Sequence, residues 1–348
     1  MEKESSDRKN ERYSLLDFLK GLSILFIIAT HFGWTGKERL QFGFPFWIDM
    51  AVPFFLLISG YLQALFFDRK GIRSIDEAFQ KDNIAKKLQR YFLPYCLVFI
   101  VEAVILLFMK KADAKQLLYA FVTGGFGPGS YYFPIIIQMI FVVPFSYVIV
   151  RKYRFRGVVY AFLVNLFFEL IKFPFFMPPP QYRLLFFRYI FILSCGVFAC
   201  FMTEFHVWYW LISAAGIFFV IISKYSSLRK SFAAFFCHWE GTSLFNVMMV
   251  VPLFWYLTTK IKKIRIRGPI TRVGTITYEI FLTQMAYYYF LSISGIAKRI
   301  SMNRGVRLVL NYIIILGIAV AFHQLLQVIC RRRRSGEVKV SFQGREKV

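Results

Sequence analysis

The sequence predicts an all-α, polytopic integral membrane protein with about ten transmembrane helices and both termini in the cytoplasm, and three observations carry that prediction. Of 348 residues, 57% are hydrophobic and only 18% are charged, whereas an average soluble domain carries about 25% charge. The apolar residues gather in runs close to the ~20 residues that a helix needs to cross a bilayer. Lys and Arg number 44 against 19 Asp and Glu, and in a membrane protein such a surplus reflects cations collecting in cytoplasmic loops. In a soluble chain the same surplus would suggest nucleic acid; here no nucleic-acid partner is expected. Composition also excludes a disordered chain, a collagen-like repeat and a disulfide scaffold.

Ten apolar runs lie near 14–34, 46–67, 91–109, 131–150, 157–171, 184–203, 207–223, 243–259, 275–296 and 308–330. They bound a membrane domain over 14–330, between tails 1–13 and 331–348. The first run starts late and carries polar residues, so it reads as a span, with a cleaved signal peptide as the lesser alternative that its basic-then-apolar opening leaves open. With the N-terminus inside, cytoplasmic segments hold 28 Lys and Arg and outer segments 14, the bias that fixes orientation. Arg331–Arg334 read as a basic stop at the membrane, suited to anchoring or to anionic lipid headgroups, and the polar residues beyond are expected to be disordered. The five cysteines, Cys96, Cys195, Cys200, Cys237 and Cys330, show no metal or disulfide spacing and read as small core residues. No internal repeat is evident, which argues mildly against transporter folds built from inverted repeats.

Charged groups within spans are costly, at about 2.5–3.5 kcal/mol each on insertion scales, so each needs a reason. The candidates are Asp17, Lys20, His31, Asp49, Glu102, Glu169, Arg188, Glu279 and His323. Asp17 and Glu169 lie near span ends, where snorkelling to the interface accounts for them. Asp17 and Lys20, three apart, share a helix face and suit an ion pair. From Lys20 to His31 is eleven steps, about 20° of net rotation and about 16 Å of rise. One stripe of the first helix therefore carries a carboxylate, a cation and, deep in the outer half, an imidazole. A neutral imidazole can take a proton from a hydroxyl and return it to a leaving group, with Lys20 supplying positive charge where an anionic donor enters. The other reading is a buried histidine bonded to a neighbouring helix, with Lys20 merely paired to Asp17.

The second run contains Pro53, which should kink it, and Ser59-Gly60, which allows close helix approach. Lys87 and Arg90 end the following basic loop on one helix face, suited to phosphate or serving as an ordinary positive flank. Gly124-Gly-Phe-Gly-Pro-Gly-Ser-Tyr-Tyr-Phe-Pro134 follows no strand and matches no P-loop, and reads as an outer turn beside an aromatic belt. His206 and His238 fall at interfaces without metal-ligand partners, His323 reads as a lone structural histidine, and no metal site or serine nucleophile elbow is found.

These motifs together resemble the bacterial membrane acyltransferase-3 family. Leu16-Asp-Phe-Leu-Lys-Gly-Leu-Ser-Ile with His31 is similar to its opening motif, Val52-Pro-Phe-Phe-Leu-Leu-Ile-Ser-Gly-Tyr61 to its second-helix signature, Lys87-Leu-Gln-Arg90 with Pro94 to its RxxR motif, and Thr277-Tyr-Glu-Ile-Phe-Leu282 to its late signature. The likeness runs from residue 12 to about 330. It implies a ten-helix O-acyltransferase in the bacterial cytoplasmic membrane. Such an enzyme moves an acetyl or succinyl group from cytoplasmic acyl-CoA, a co-substrate and not a bound cofactor, to a carbohydrate hydroxyl on a polysaccharide or lipid-linked glycan. His31 would be the base, Lys20 would replace the usual Arg, Asp17 or another carboxylate would orient or balance charge, and Lys87 with Arg90 would hold the donor's phosphates. Asp49, Ser59 and Glu279 are candidate substrate contacts. The chain departs from the pattern at Pro53, where some members carry an acid that Asp49 could replace, and at Gln284, where the late signature often ends in His. The Pro-Phe-Phe variant and Tyr131-Tyr-Phe-Pro with Gln138 resemble the branch tied to adhesin-polysaccharide modification or export. The rival expectations are a transporter or flippase for a surface polysaccharide or its precursor, and a mere assembly partner.

Overall fold

A backbone surrounded by lipid must satisfy its own hydrogen bonds, so long apolar runs fold as helices. The computed structural model is helical throughout its described residues, 2–171, 182–226, 241–260, 266–296 and 302–343, with no strand among them. The helices in the first half are α1 (Glu2–Thr30), α2 (Gly36–Gln41), α3 (Ala51–Arg69), α4 (Ile75–Ala78), α5 (Lys81–Phe108), α6 (Ala114–Thr123), α7 (Tyr132–Tyr153) and α8 (Phe155–Ile171). In the second half they are α9 (Ile190–Phe201), α10 (Trp210–Tyr225), α11 (Leu244–Met248), α12 (Val251–Lys260), α13 (Pro269–Thr275), α14 (Thr277–Ser294) and α15 (Arg304–Gln343).

By length and apolarity, five stretches among the described residues suit a membrane crossing: Phe44–Arg69, Asn83–Phe108, Tyr132–Tyr153, Val207–Tyr225 and Arg304–Cys330. This is a multi-pass membrane protein. The run expected at 184–203 forms α9, whose 12 residues rise only about 18 Å, short of a ~30 Å hydrocarbon core. Phe191 through Ala199 are all buried, so α9 is an interior helix. A run of apolar residues reads the same in either setting.

Three further expectations are revised. Pro53 sits in the first turn of α3, where its missing N–H would have no intrahelical partner, so it starts the helix instead of kinking it. The basic segment before Pro94 is not a loop: α5 begins at Lys81, because Lys, Gln and Arg are good helix formers and hydropathy alone ends too early. Beyond Arg334, α15 continues to Gln343 with no proline to stop it, and residues 344–348 lie outside the described residues.

The expected close approach at Ser59-Gly60 is present. A Cβ on Gly60 would meet the Leu193 carbonyl oxygen at 2.4 Å, and one on Gly196 the Leu57 carbonyl oxygen at 2.2 Å. The α3 and α9 backbones therefore touch where neither helix has a side chain. Around this crossing Leu56, Leu57, Tyr61, Leu193, Cys195 and Val197 form the main core. A second cluster joins α1, α5, α14 and α15 through Ile28, Tyr95, Ile280, Leu282, Met285 and Ile315.

Candidate active site

Lys20 lies a third of a helix below His31 on α1, and the two open into different cavities. The Lys20 cavity, about 490 Å³, is bordered by Lys20, Lys70, Lys86, Lys87 and Arg90, with no carboxylate among its described lining residues. Three of those cations come from the early turns of α5, where spacings of three and four residues put Arg90 on one face with Lys86 and Lys87. Lys87 is fixed: its Nζ donates to Gln63 Oε1 at 3.2 Å and sits 4.6 Å from the Phe67 ring centroid. Arg90 is exposed beside the Tyr91 ring. Lys20 makes the expected ion pair with Asp17, at 2.6 Å. Asp17 itself borders a separate recess with Arg267 and Arg272, far from His31. The inner walls of the Lys20 cavity are Phe55, Ser59, Tyr132, Tyr278 and Phe281. The Tyr278 hydroxyl donates to the Tyr91 carbonyl at 2.8 Å and holds α14 against α5.

His31 follows the last residue of α1 and borders the second cavity, about 790 Å³, with Arg39, Asp49, Gly129, Tyr131 and Arg183. Its ring is half-buried and stands edge-on to Tyr288, with centroids 6.4 Å apart. Tyr288 is anchored by donating to the Ile28 carbonyl at 2.9 Å. The carboxylate of this cavity is Asp49, not Asp17. Arg39 Nη2 pairs with Asp49 Oδ1 at 2.5 Å, and Arg39 Nη1 donates to the Thr30 carbonyl at 3.1 Å, beside the imidazole. Arg39 was not singled out in the sequence, because it stands in a polar outer segment where a cation needs no explanation.

Little separates the cavities. Ile27 lines both, and the consecutive Tyr131 and Tyr132 face one each. Gly129 has φ +86, a region that favours glycine, and a Cβ there would lie 3.5 Å from His31 Nε2 and 3.6 Å from the Phe281 ring. The glycine segment after α6 turns at the same end as His31 and packs closely there: Cβ atoms on Gly125 and Gly127 would collide with Met285, and Gly129 lies beside the imidazole. Its glycines were visible in the sequence, but the long-range contacts that require them were not.

The remaining candidates lie elsewhere. Glu279 borders a third cavity, next to Lys86 and Arg90. There its Oε1 is 2.7 Å from His323 Nδ1, and Gln327 contacts His323 Nε2 at 2.9 Å. His323 is thus one member of a polar chain and not a lone histidine. Glu169 does not snorkel: it is 1% exposed and buried beside Tyr182, whose ring carries the Arg188 guanidinium at 4.5 Å. Glu102 and Gln284 are fully buried, with side-chain oxygens that meet no hydrogen-bond partner among the described residues. His206 is exposed; His238 and Cys237 lie outside the described residues.

A family model described as an acyltransferase domain, Acyl_transf_3, matches residues 13–327. No curated protein and no solved structure matches the chain.

Proposed function

The chain belongs to the acyltransferase-3 family and is a membrane acyltransferase, and from that premise we propose that it moves an acetyl or succinyl group from acyl-CoA to a carbohydrate hydroxyl across the Ile27 partition. The observation that carries this reading is the pair of cavities meeting at Ile27, one ringed by cations and one holding an imidazole. The cations that concentrate in the loops at the Lys20 end support placing that end on the cytoplasmic side of a bacterial cytoplasmic membrane. Lys87, Arg90 and their neighbours suit the phosphates of coenzyme A, and the aromatic walls suit its pantetheine arm. The arm extends past Tyr132 and Phe281 until its thioester reaches the His31 edge of Gly129.

The acceptor glycan enters from the outer cavity. His31 takes the proton of its hydroxyl as the oxygen attacks the thioester carbonyl. The new C–O bond forms, the C–S bond breaks, and the imidazolium returns the proton to the departing CoA thiolate. Asp49 acts through Arg39, holding the guanidinium beside Thr30, while Ser59 lies on the donor side. Glu279 borders the third cavity, which shares Lys86 and Arg90 with the Lys20 cavity, and could contact the donor from there.

Purified wild type and His31→Ala in liposomes, given acetyl-CoA and a surface polysaccharide, test the reading. Loss of both thiol release and sugar acylation in the variant supports it. Equal thiol release and acylation by both proteins rejects His31 as the base.

A further inference from the structure

From Tyr278 to Tyr288, α14 carries six polar side chains, and five of them have partners. The Tyr278 hydroxyl donates to the Tyr91 carbonyl, and Glu279 meets His323. The Thr283 hydroxyl donates to the Glu279 carbonyl, Tyr287 to Asn311 Oδ1, and Tyr288 to the Ile28 carbonyl. Gln284 is the exception. It is 0% exposed, and neither its Oε1 nor its Nε2 meets a hydrogen-bond partner among the described residues. Burying an amide without partners is destabilising, and the neighbouring α1, α5 and α15 surround α14 with an apolar cluster that offers it none.

The amide stands between the two cavities. Phe281, three residues earlier, lines the Lys20 cavity, and Tyr288, four residues later, stands edge-on to His31. Helix geometry puts Gln284 within about 60° of Phe281 and about 40° of Tyr288, and about 6 Å nearer the Lys20 end than Tyr288. Ile24 and Ile27 of α1 belong to the same cluster as Phe281 and Tyr288, and both line the Lys20 cavity. Gln284 itself lines neither cavity. It lies in the α1–α14 seam that a donor arm must part to carry its carbonyl from one cavity to the other.

We infer that Gln284 is a donor-binding residue, pairing with the pantetheine amide nearest the sulfur when the arm enters that seam. This rests on the assignment of the Lys20 cavity to acyl-CoA. Two properties single out that amide. It offers one N–H and one carbonyl, which together satisfy both orphaned atoms of Gln284, whereas a thioester carbonyl would satisfy Nε2 and leave Oε1 buried and unpaired. Two methylenes and the sulfur separate it from the reacting carbonyl, a span of about 5 Å, close to the rise from Gln284 to Tyr288. With the amide held at Gln284, the carbonyl arrives at the level of His31. The pairing therefore sets how far the arm advances.

The test measures binding to the full-length protein in nanodiscs without acceptor. The probes are coenzyme A and an analogue in which an ester oxygen replaces the N–H of that amide. Wild type should bind coenzyme A about tenfold tighter than the ester, the usual size of a buried hydrogen bond. Gln284→Met, close to Gln in length but without an amide, should bind coenzyme A about tenfold more weakly than wild type and the two ligands alike. Its Tm should be equal to that of wild type or higher, because an orphaned amide has left the core. Equal binding of the two ligands by wild type overturns the inference without any variant. So does a preference that survives in Gln284→Met, whether or not its Tm falls. Arg90→Ala should weaken both ligands by the same factor. If it does while Gln284→Met changes nothing, the donor cavity stands and the Gln284 pairing alone fails; if wild type binds neither ligand, both fail.

Discussion

On the Lys20 side of Ile27, cations form a rim and tyrosine and phenylalanine form the walls, with no acid among the described lining residues. On the His31 side, cations, an acid and an imidazole share a wider space with few aromatic rings. The first arrangement suits a long molecule with an anionic head and a flexible tail. The second suits proton transfer beside a polar partner. One helix supplies the key residue of each, because eleven residues on α1 return to nearly the same face. On the proposed reading, binding and chemistry are divided between two cavities that share Ile27, and each half should fail in its own way.

The largest effect is expected at the chemical half. His31→Ala should lower turnover by about 10²–10⁴-fold, the usual contribution of a positioned acid–base group, with the donor KM little changed. At the partition, a side chain on Gly129 suffers twice: φ +86 costs an L-residue roughly 1–2 kcal/mol, and the added atoms enter the gap between His31 and Phe281. Gly129→Val should therefore reduce kcat about tenfold or more while acyl-CoA still binds. A parallel rise in donor KM would show instead that the loop shapes the donor cavity. At the binding half, Arg90→Ala should raise the donor KM by about tenfold, as loss of a charge-assisted hydrogen bond predicts, and high salt should shrink that difference because Arg90 is exposed. Unchanged KM would move the phosphates elsewhere.

The smallest effect lies outside both cavities. The Arg304 guanidinium beside Glu38, helped by Thr35, lowers the Glu38 carboxyl from 4.5 to about 2. Its stabilising effect is complete above pH 4.5 and is lost as pH falls through about 2. Glu38→Gln should lower the Tm slightly at pH 6, and the gap from wild type should close toward pH 2. A gap that persists there would make the pair irrelevant.

What the sequence revealed follows from what repeats locally. The Asp17–Lys20 pair and the Lys20–His31 stripe were legible because helix periodicity fixes them within one segment. Lys87 and Arg90 were legible as a pair, but not as part of a long helix, because their charges end the apolar run before the helix ends. The family match over residues 13–327 agrees with the resemblance read from short motifs. Contacts across the chain were not legible. Arg39 meets Asp49 and Thr30 through a turn, Glu279 meets His323 across 44 residues, and Gly129 meets both His31 and Phe281 only when four elements pack. The resemblance suggested Asp17 or another carboxylate as the group that orients or balances charge; Asp17 pairs with Lys20, and Asp49 is the carboxylate among the described lining residues of the His31 cavity.

The central claim is that a donor held at the Lys20 end delivers its carbonyl to His31. It is tested most directly by a structure of the protein with acetonyl-CoA, in which a methylene is inserted between the sulfur and the acyl carbonyl, so that no transfer can occur. The account predicts phosphates at Lys87 and Arg90 and the ketone carbon within van der Waals contact of His31 Nε2, alongside Gly129. A ketone that remains on the cation side of Ile27 in every bound conformer would contradict it.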